Sequence, residues 1–276
     1  MELSVVVPAY NEAGTIASCL AEIVASVEQI TDDFEIVVVD DGSTDGTARC
    51  ARLCAELYPQ RIMVVESPAN QGKGASLVLG ATLARGRRIA FLDADLDLHP
   101  SLLHRLSETM DRTGADAVIG SKRHPQSDVR VPFVRGVMSA GYFFMVRTLF
   151  AMRNLRDTQT GIKLFKRETL QAVLPRLCVK RFAFDLELLV NIHRTGALIA
   201  EAPVKIRSQR LTQRIRYRDV KTIFIDTLAV FYRARILHWY DRAPEQPTMS
   251  IKPVVSHGRA VARGEAVSAA EEGAAV

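Results

Sequence analysis

The 276-residue sequence has no run of eighteen uncharged apolar residues, which excludes a conventional membrane-spanning helix. Met1-Glu2 leads at once into Leu3-Ser4-Val5-Val6-Val7, without the basic and apolar regions of a signal peptide, so none is expected. Cysteine is scarce. Cys19, Cys50, Cys54 and Cys178 contain no Cys-x-x-Cys pair, and reduced thiols in a cytosolic protein are expected. The first strand–helix turn lacks Gly-x-Gly-x-x-Gly, which weakens a dinucleotide reading. Asn70-Gln71-Gly72-Lys73-Gly74 lacks Walker spacing and the Lys-Ser/Thr pair. No internal repeat is found, and no obvious His or Glu pair suggests base catalysis.

What is present begins with charge. The net charge is +5, and Lys205, Arg207, Arg210, Arg214, Arg216, Arg218 and Lys221 crowd one segment. Anionic partners are expected there, but nucleic acid is not, because no reader motif accompanies the patch. Strand and helix patterns alternate with short loops through the first half, which predicts an α/β fold with a mainly parallel sheet. The strands are expected at 3–7, 34–39, 61–66, 88–92 and 115–119, and the helices at 13–29, 44–58, 74–84 and 100–113. An apolar helical stretch follows over 135–153, then an α+β piece over 157–204. An amphipathic helix is expected over 218–239. The division is a catalytic domain over 1–212, an amphipathic helical region over 213–242 and a disordered tail over 243–276.

Asp93-Ala94-Asp95, followed by Leu96-Asp97, stands directly after the apolar run Arg88-Ile89-Ala90-Phe91-Leu92. Ligands of open α/β sheets collect at such carboxyl ends. Magnesium takes one or two carboxylates and completes its shell with water and substrate phosphates, so the stretch reads as a metal and diphosphate site. Asp97 and His99 could instead organise the turn before Pro100. Two further polar turns follow strands on the same edge, Pro8-Ala9-Tyr10-Asn11-Glu12 and Asp40-Asp41-Gly42-Ser43-Thr44-Asp45-Gly46-Thr47. A strand-end carboxylate there can accept from a base N–H, while Gly and Ser/Thr let backbone donors approach ribose or phosphate. Gly42-Ser43-Thr44 also reads as a simple turn and helix cap. Lys73 offers a cation beside the amides of a helix start.

In this order these motifs resemble family 2 glycosyltransferases of the GT-A, Rossmann-like fold, which transfer sugars from nucleotide diphosphate donors. Three later stretches resemble polyprenyl-phosphate sugar synthases, of the dolichyl-phosphate glucosyl- and mannosyltransferase kind. They are Val118-Ile119-Gly120-Ser121-Lys122-Arg123, Asp157-Thr158-Gln159-Thr160-Gly161-Ile162-Lys163-Leu164-Phe165 and Phe184-Asp185-Leu186-Glu187-Leu188-Leu189. The middle one leans toward the glucosyl branch. The resemblance implies that Pro8, Tyr10, Glu12, Asp40, Asp41, Lys73 and Asp93 hold the nucleotide. It implies that Asp95, with Asp97, binds Mg or Mn, and that Lys122, Arg123 and Arg135 serve catalysis by meeting the acceptor phosphate.

The implied reaction joins C1 of a hexose, from UDP-glucose or GDP-mannose, to a polyprenyl monophosphate with inversion. A phosphate monoester is already anionic at neutral pH, so no strong base is needed. The two apolar helices would then lie on a membrane surface, with the protein peripheral at its cytoplasmic face. The alternative is that they pack on the core or form a homodimer. The alternatives are a soluble family 2 transferase acting on a hydroxyl, with Asp185 or Glu187 as base, and a non-catalytic nucleotide-sugar-binding membrane protein.

Overall fold

A computed structural model describes residues 1–128, 133–152, 155–179, 183–207, 217–242 and 254–257, with backbone alone at 133–140, 217–221 and 254–257. The first two strands, β1 (Leu3–Ala9) and β2 (Phe34–Asp40), are nearly continuous apolar runs buried on both faces. That is the pattern of central parallel strands covered by helices. They pair in parallel from Leu3 opposite Phe34 to Ala9 opposite Asp40, so both chains emerge from the sheet at one edge. Next come β3 (Ile62–Glu66), β4 (Arg88–Phe91), β5 (Ala117–Ser121), β6 (Lys163–Lys166), β7 (Ile199–Pro203) and β8 (Val254–His257).

The sheet order is β7-β5-β6-β4-β1-β2-β3-β8, with β6 and β8 antiparallel to their neighbours. Strand order reverses at β1, which lies between β2 and β4. A crevice at the carboxyl ends of such a switch point is where open α/β sheets take their ligands. Because β5 and β7 run parallel to each other while β6 opposes both β4 and β5, the exits of β1, β2, β4, β5 and β7 and the entry to β6 share that edge.

Two helical layers cover the sheet. One is built from α1 (Ile16–Val27), α2 (Thr47–Leu57) and α4 (Leu102–Thr113); the other includes α3 (Lys73–Leu83), α5 (Phe133–Phe150), α6 (Arg167–Val173), α7 (Phe184–Arg194) and α8 (Tyr217–Phe231). Leu20, Ile23, Val24 and Val27 of α1 face the first core; Leu77 and Ala81 of α3, with Leu186 and Leu189 of α7, face the second. Each fully buried aliphatic side chain contributes about 1.5–3 kcal/mol.

Two expected elements differ. The helix predicted over 218–239 ends at Phe231, continues as one π-helical segment, Tyr232–Ile236, and turns through His238 at φ 48° into a short 3-10 turn, Trp239–Asp241. The tail predicted to be unstructured contains β8, whose backbone pairs with β3 between Met63 and Glu66. A sheet edge is an open row of donors and acceptors, and even a short segment with adjacent valines can complete it.

Glu187 anchors the end of the α8 segment. It is fully buried and accepts from the Cys178 N–H at 2.9 Å, the Val179 N–H at 2.7 Å and the Tyr240 hydroxyl, with the Arg233 guanidinium 3.4 Å away. Burial pushes its pKa up despite these donors. Glu187→Ala strands them all, and an expected loss of about 3–5 kcal/mol follows from removing one partner of a buried charged network. Urea unfolding measures it; a loss under about 1 kcal/mol would contradict the anchoring role.

Candidate active site

The first two loops at the switch-point edge are stapled together by side chains. Asn11, in the left-handed region at φ 56°, donates its N–H to Ser43 Oγ at 2.9 Å and accepts from the Thr44 N–H at 3.0 Å. The Glu12 N–H donates to Thr47 Oγ1 at 2.8 Å, and the Ala13 N–H to Asp45 Oδ2 at 3.1 Å. These bonds hold residues 11–15 as a turn, so α1 begins at Ile16, later than the expected residue 13. Tyr10 stands exposed at the mouth. Glu12 accepts from the Thr15 hydroxyl at 2.6 Å.

Asp40 ends β2 in a buried position. Its Oδ2 accepts from the Ser43 N–H at 3.1 Å, while Oδ1 is buried with no partner in the protein. A buried carboxylate oxygen without a donor is costly unless a ligand supplies one. Asp41, grouped by sequence with the nucleotide ligands, orders a neighbouring loop. Its two oxygens accept from the N–H groups of Gln71 and Gly72, each at 2.8 Å, and so fix the loop that presents Lys73. Gly42 makes this possible: at φ 72°, any β-carbon would stand 2.7 Å from the Ala69 carbonyl carbon.

Lys73 starts α3 and pairs with Asp93, Nζ to Oδ1 at 2.6 Å. Burial disfavours the ammonium, but Asp93, then Asp185 and Asp95, outweigh it and hold Lys73 protonated above the usual lysine range. The cation expected to meet the diphosphate thus pairs with Asp93 at the mouth of the same site. Asp93 Oδ2 lies against Gly161, where a β-carbon would approach to 2.0 Å. Only glycine leaves room for that carboxylate.

Asp95 and Asp97 follow around a turn in which Leu96 has φ 58° and the Asp97 N–H donates to Asp95 Oδ1 at 3.1 Å. Burial, then the charge of Asp93, raises the Asp95 pKa. Asp97 Oδ1 is buried without a partner. Crowded carboxylates with an orphaned oxygen suit a hard divalent cation, and an all-oxygen donor set suits Mg or Mn. Among the described residues no three His, Cys, Asp or Glu side chains group to enclose a metal, so water and diphosphate would complete the shell.

Beyond β5, Lys122 is exposed and its N–H donates to Asp157 Oδ2 at 3.0 Å. The Arg123 guanidinium lies 5.1 Å from the Phe143 ring centre, facing α5. Arg135 belongs to α5, its side chain outside the described residues. The 157–161 loop is organised by Asp157, which also takes the Gln159 N–H at 3.0 Å and the Thr160 hydroxyl at 2.6 Å, and by Glu201, which accepts from the N–H groups of Arg156 and Asp157. Glu201 stands outside every motif found in the sequence.

The two carboxylates nominated as bases for a hydroxyl acceptor are engaged elsewhere. Asp185 is buried 2.7 Å from Lys163 Nζ; burial would raise its pKa, but Lys163 and then Lys73 hold it below the usual carboxylate range. Glu187 carries the α8 anchor.

The sequence model of Glycosyl transferase family 2 matches residues 4–174. A dolichyl-phosphate beta-glucosyltransferase of Drosophila melanogaster is 38% identical over 218 residues, covering 74% of this chain and 67% of the relative. Its counterpart in Dictyostelium discoideum is 33% identical over 214 residues, covering 73% and 65%. The match thus spans about two thirds of those relatives. Among solved structures, glucosyl-3-phosphoglycerate synthase from Mycobacterium tuberculosis with uridine diphosphate superposes with a TM-score of 0.62 at 21% identity, covering 88% of this chain and 82% of that one, a likeness of fold. The motif order, the switch-point carboxylates and these matches make the chain a member of glycosyl transferase family 2, a glycosyltransferase of the GT-A fold.

Proposed function

We propose that the protein transfers glucose from UDP-glucose to the phosphate of a polyprenyl, dolichyl-type monophosphate, with inversion at C1. The observation that carries the donor half is the pair of orphaned, buried carboxylate oxygens, Asp40 Oδ1 and Asp97 Oδ1, at one sheet edge. One awaits a base N–H and the other a cation. The names of the relatives support glucose and the lipid phosphate.

Asp95 and Asp97 would hold Mg or Mn, which supplies charge neutralisation to a departing diphosphate. Pro8 and Tyr10 border the base and Glu12 the ribose, while Asp93 orients the donor from its seat on Gly161. The acceptor oxygen, anionic above a second phosphate pKa of about 6, attacks C1 as the bond from C1 to the diphosphate oxygen breaks. The proton question does not arise, because the nucleophile has none to lose. Lys122, Arg123 and Arg135 screen the repulsion between anionic acceptor and anionic donor. This is why Asp185 and Glu187 can be spent on ion pairs and anchoring.

The lipid reading rests on a surface. Phe224, Leu228, Tyr232 and Ile236 recur every fourth residue and are all exposed, beside Ile225, Leu237 and Trp239, while Val230 and Ala234 on the other side are buried. Phe144 of α5 is 70% exposed. Phe231 is excluded from this face, since it packs edge-on against Phe150 at 6.1 Å. Among the described residues no helix is long and apolar enough to cross a membrane. The exposed apolar stripe supports a peripheral place, which we put at the cytoplasmic face. Replacing Phe144, Phe224 and Leu228 by serine is expected to abolish co-flotation with vesicles containing anionic lipid; undiminished flotation would contradict it.

The substrate reading is tested by supplying polyprenyl phosphate with UDP-glucose, GDP-mannose or UDP-N-acetylglucosamine in turn, with divalent metal present. Mass spectrometry is expected to find a hexosyl lipid phosphate only with UDP-glucose, its anomeric coupling β. A mannosyl product, an α linkage or the absence of any lipid product would overturn it.

A further inference from the structure

The turn carrying Asp95 and Asp97 contains a non-glycine residue in the left-handed region, Leu96. Such a backbone persists only where its surroundings over-determine it. Two elements far away in sequence meet it. The segment after β7 forms an antiparallel bridge, Ile206 to Leu98, and the Arg207 N–H donates to the Asp97 carbonyl at 3.0 Å. The Arg207 guanidinium then turns back onto Glu22 Oε2 of α1. His99, two residues beyond Asp97, brings Nε2 to the same oxygen at 3.3 Å. The Ser101 N–H donates to His99 Nδ1 at 3.1 Å, which fixes the ring with Nε2 toward Glu22. Glu22 thereby grips both the chain leaving the metal turn and the strand extension that pins Asp97 from the other side.

We infer that Glu22, acting through Arg207 and His99, is a positioning residue that sets the Asp95–Asp97 pair for its divalent cation. The inference rests on the reading of those aspartates as metal ligands. Each ion pair is part-exposed and weak alone. Their product is placement: with the turn held from both flanks, the two carboxylates stay in register. Groups that orient ligands in this way typically change metal affinity by tenfold or more when removed.

The test is titration of the full-length protein with Mn²⁺ alone, free ion read by electron paramagnetic resonance, in wild type, Glu22→Gln and Arg207→Met. Charge and placement predict opposite signs at Arg207: removing a cation near the site should tighten Mn²⁺ binding electrostatically, whereas loss of the clamp should weaken it. The expected result is about tenfold weaker binding in both variants with the thermal midpoint unchanged. Unchanged binding in Glu22→Gln, or unchanged or tighter binding in Arg207→Met, overturns the inference and leaves the aspartate reading standing. Wild-type binding that survives Asp95→Asn overturns the aspartate reading itself, and this inference with it.

Discussion

Asp95→Asn is expected to reduce sugar transfer by about 10³-fold, the scale on which loss of a group that stabilises developing charge is felt. The substitution keeps the side chain's size and removes the charge a cation needs. Its effect on stability should run the other way. Burial and Asp93 raise the Asp95 pKa in the folded protein above its unfolded value, so ionised Asp95 costs the metal-free fold stability at neutral pH, and that stability returns as pH falls through the raised value. The metal-free variant should therefore melt no lower than wild type at neutral pH. The same shift makes protons compete with the cation at Asp95 in the metal-free protein, so transfer should need more divalent metal as pH falls. Transfer rates against pH and metal concentration, with melting curves in chelator, check all three. Near-normal activity in the variant would remove Asp95 from the mechanism.

Gly161→Ala is the second large effect. The added methyl would overlap Asp93 Oδ2 at 2.0 Å. It would drive the carboxylate off its seat and disturb its pair with Lys73. Gly161 has no positive φ, so the damage is steric and local. Donor affinity is expected to fall about 10- to 100-fold, in line with the cost of misplacing groups around a reacting centre. Titration calorimetry with UDP, alongside a melting curve within a few degrees of wild type, measures it. Unaltered UDP affinity would show that Asp93 has no part in holding the donor.

The central strands were legible because parallel strands buried on both faces are apolar along most of their length, as β1, β2 and β4 are. The strand-end position of Asp40 followed directly, and that of Asp93 and Asp95 beyond β4 with it. Helix starts were less legible. The beginnings of α1 and α2 depend on Asn11, Ser43, Asp45 and Thr47 reaching across more than thirty residues, which no local pattern encodes. The reversed direction of β6 is likewise a property of its neighbours. Asp41 and Lys73 were legible as members of the polar loops at this edge; their partners Gln71, Gly72 and Asp93 become visible only when the loops are folded together. Glu22 and Glu201 carry no signal at all, each being an acidic residue in an ordinary helix or strand. The stretch 218–239 reads as one amphipathic helix, and nothing local in it signals the π-helical turn or the Glu187 anchor that end α8.

The most direct test of the whole account is anomalous diffraction from crystals soaked with Mn²⁺ and UDP. The predicted result is a manganese peak within coordination distance of Asp95 and Asp97, with diphosphate oxygens on its other side and the base beside Asp40. A peak elsewhere, or nucleotide bound away from the β1–β4 crevice with those carboxylates bare, would contradict it.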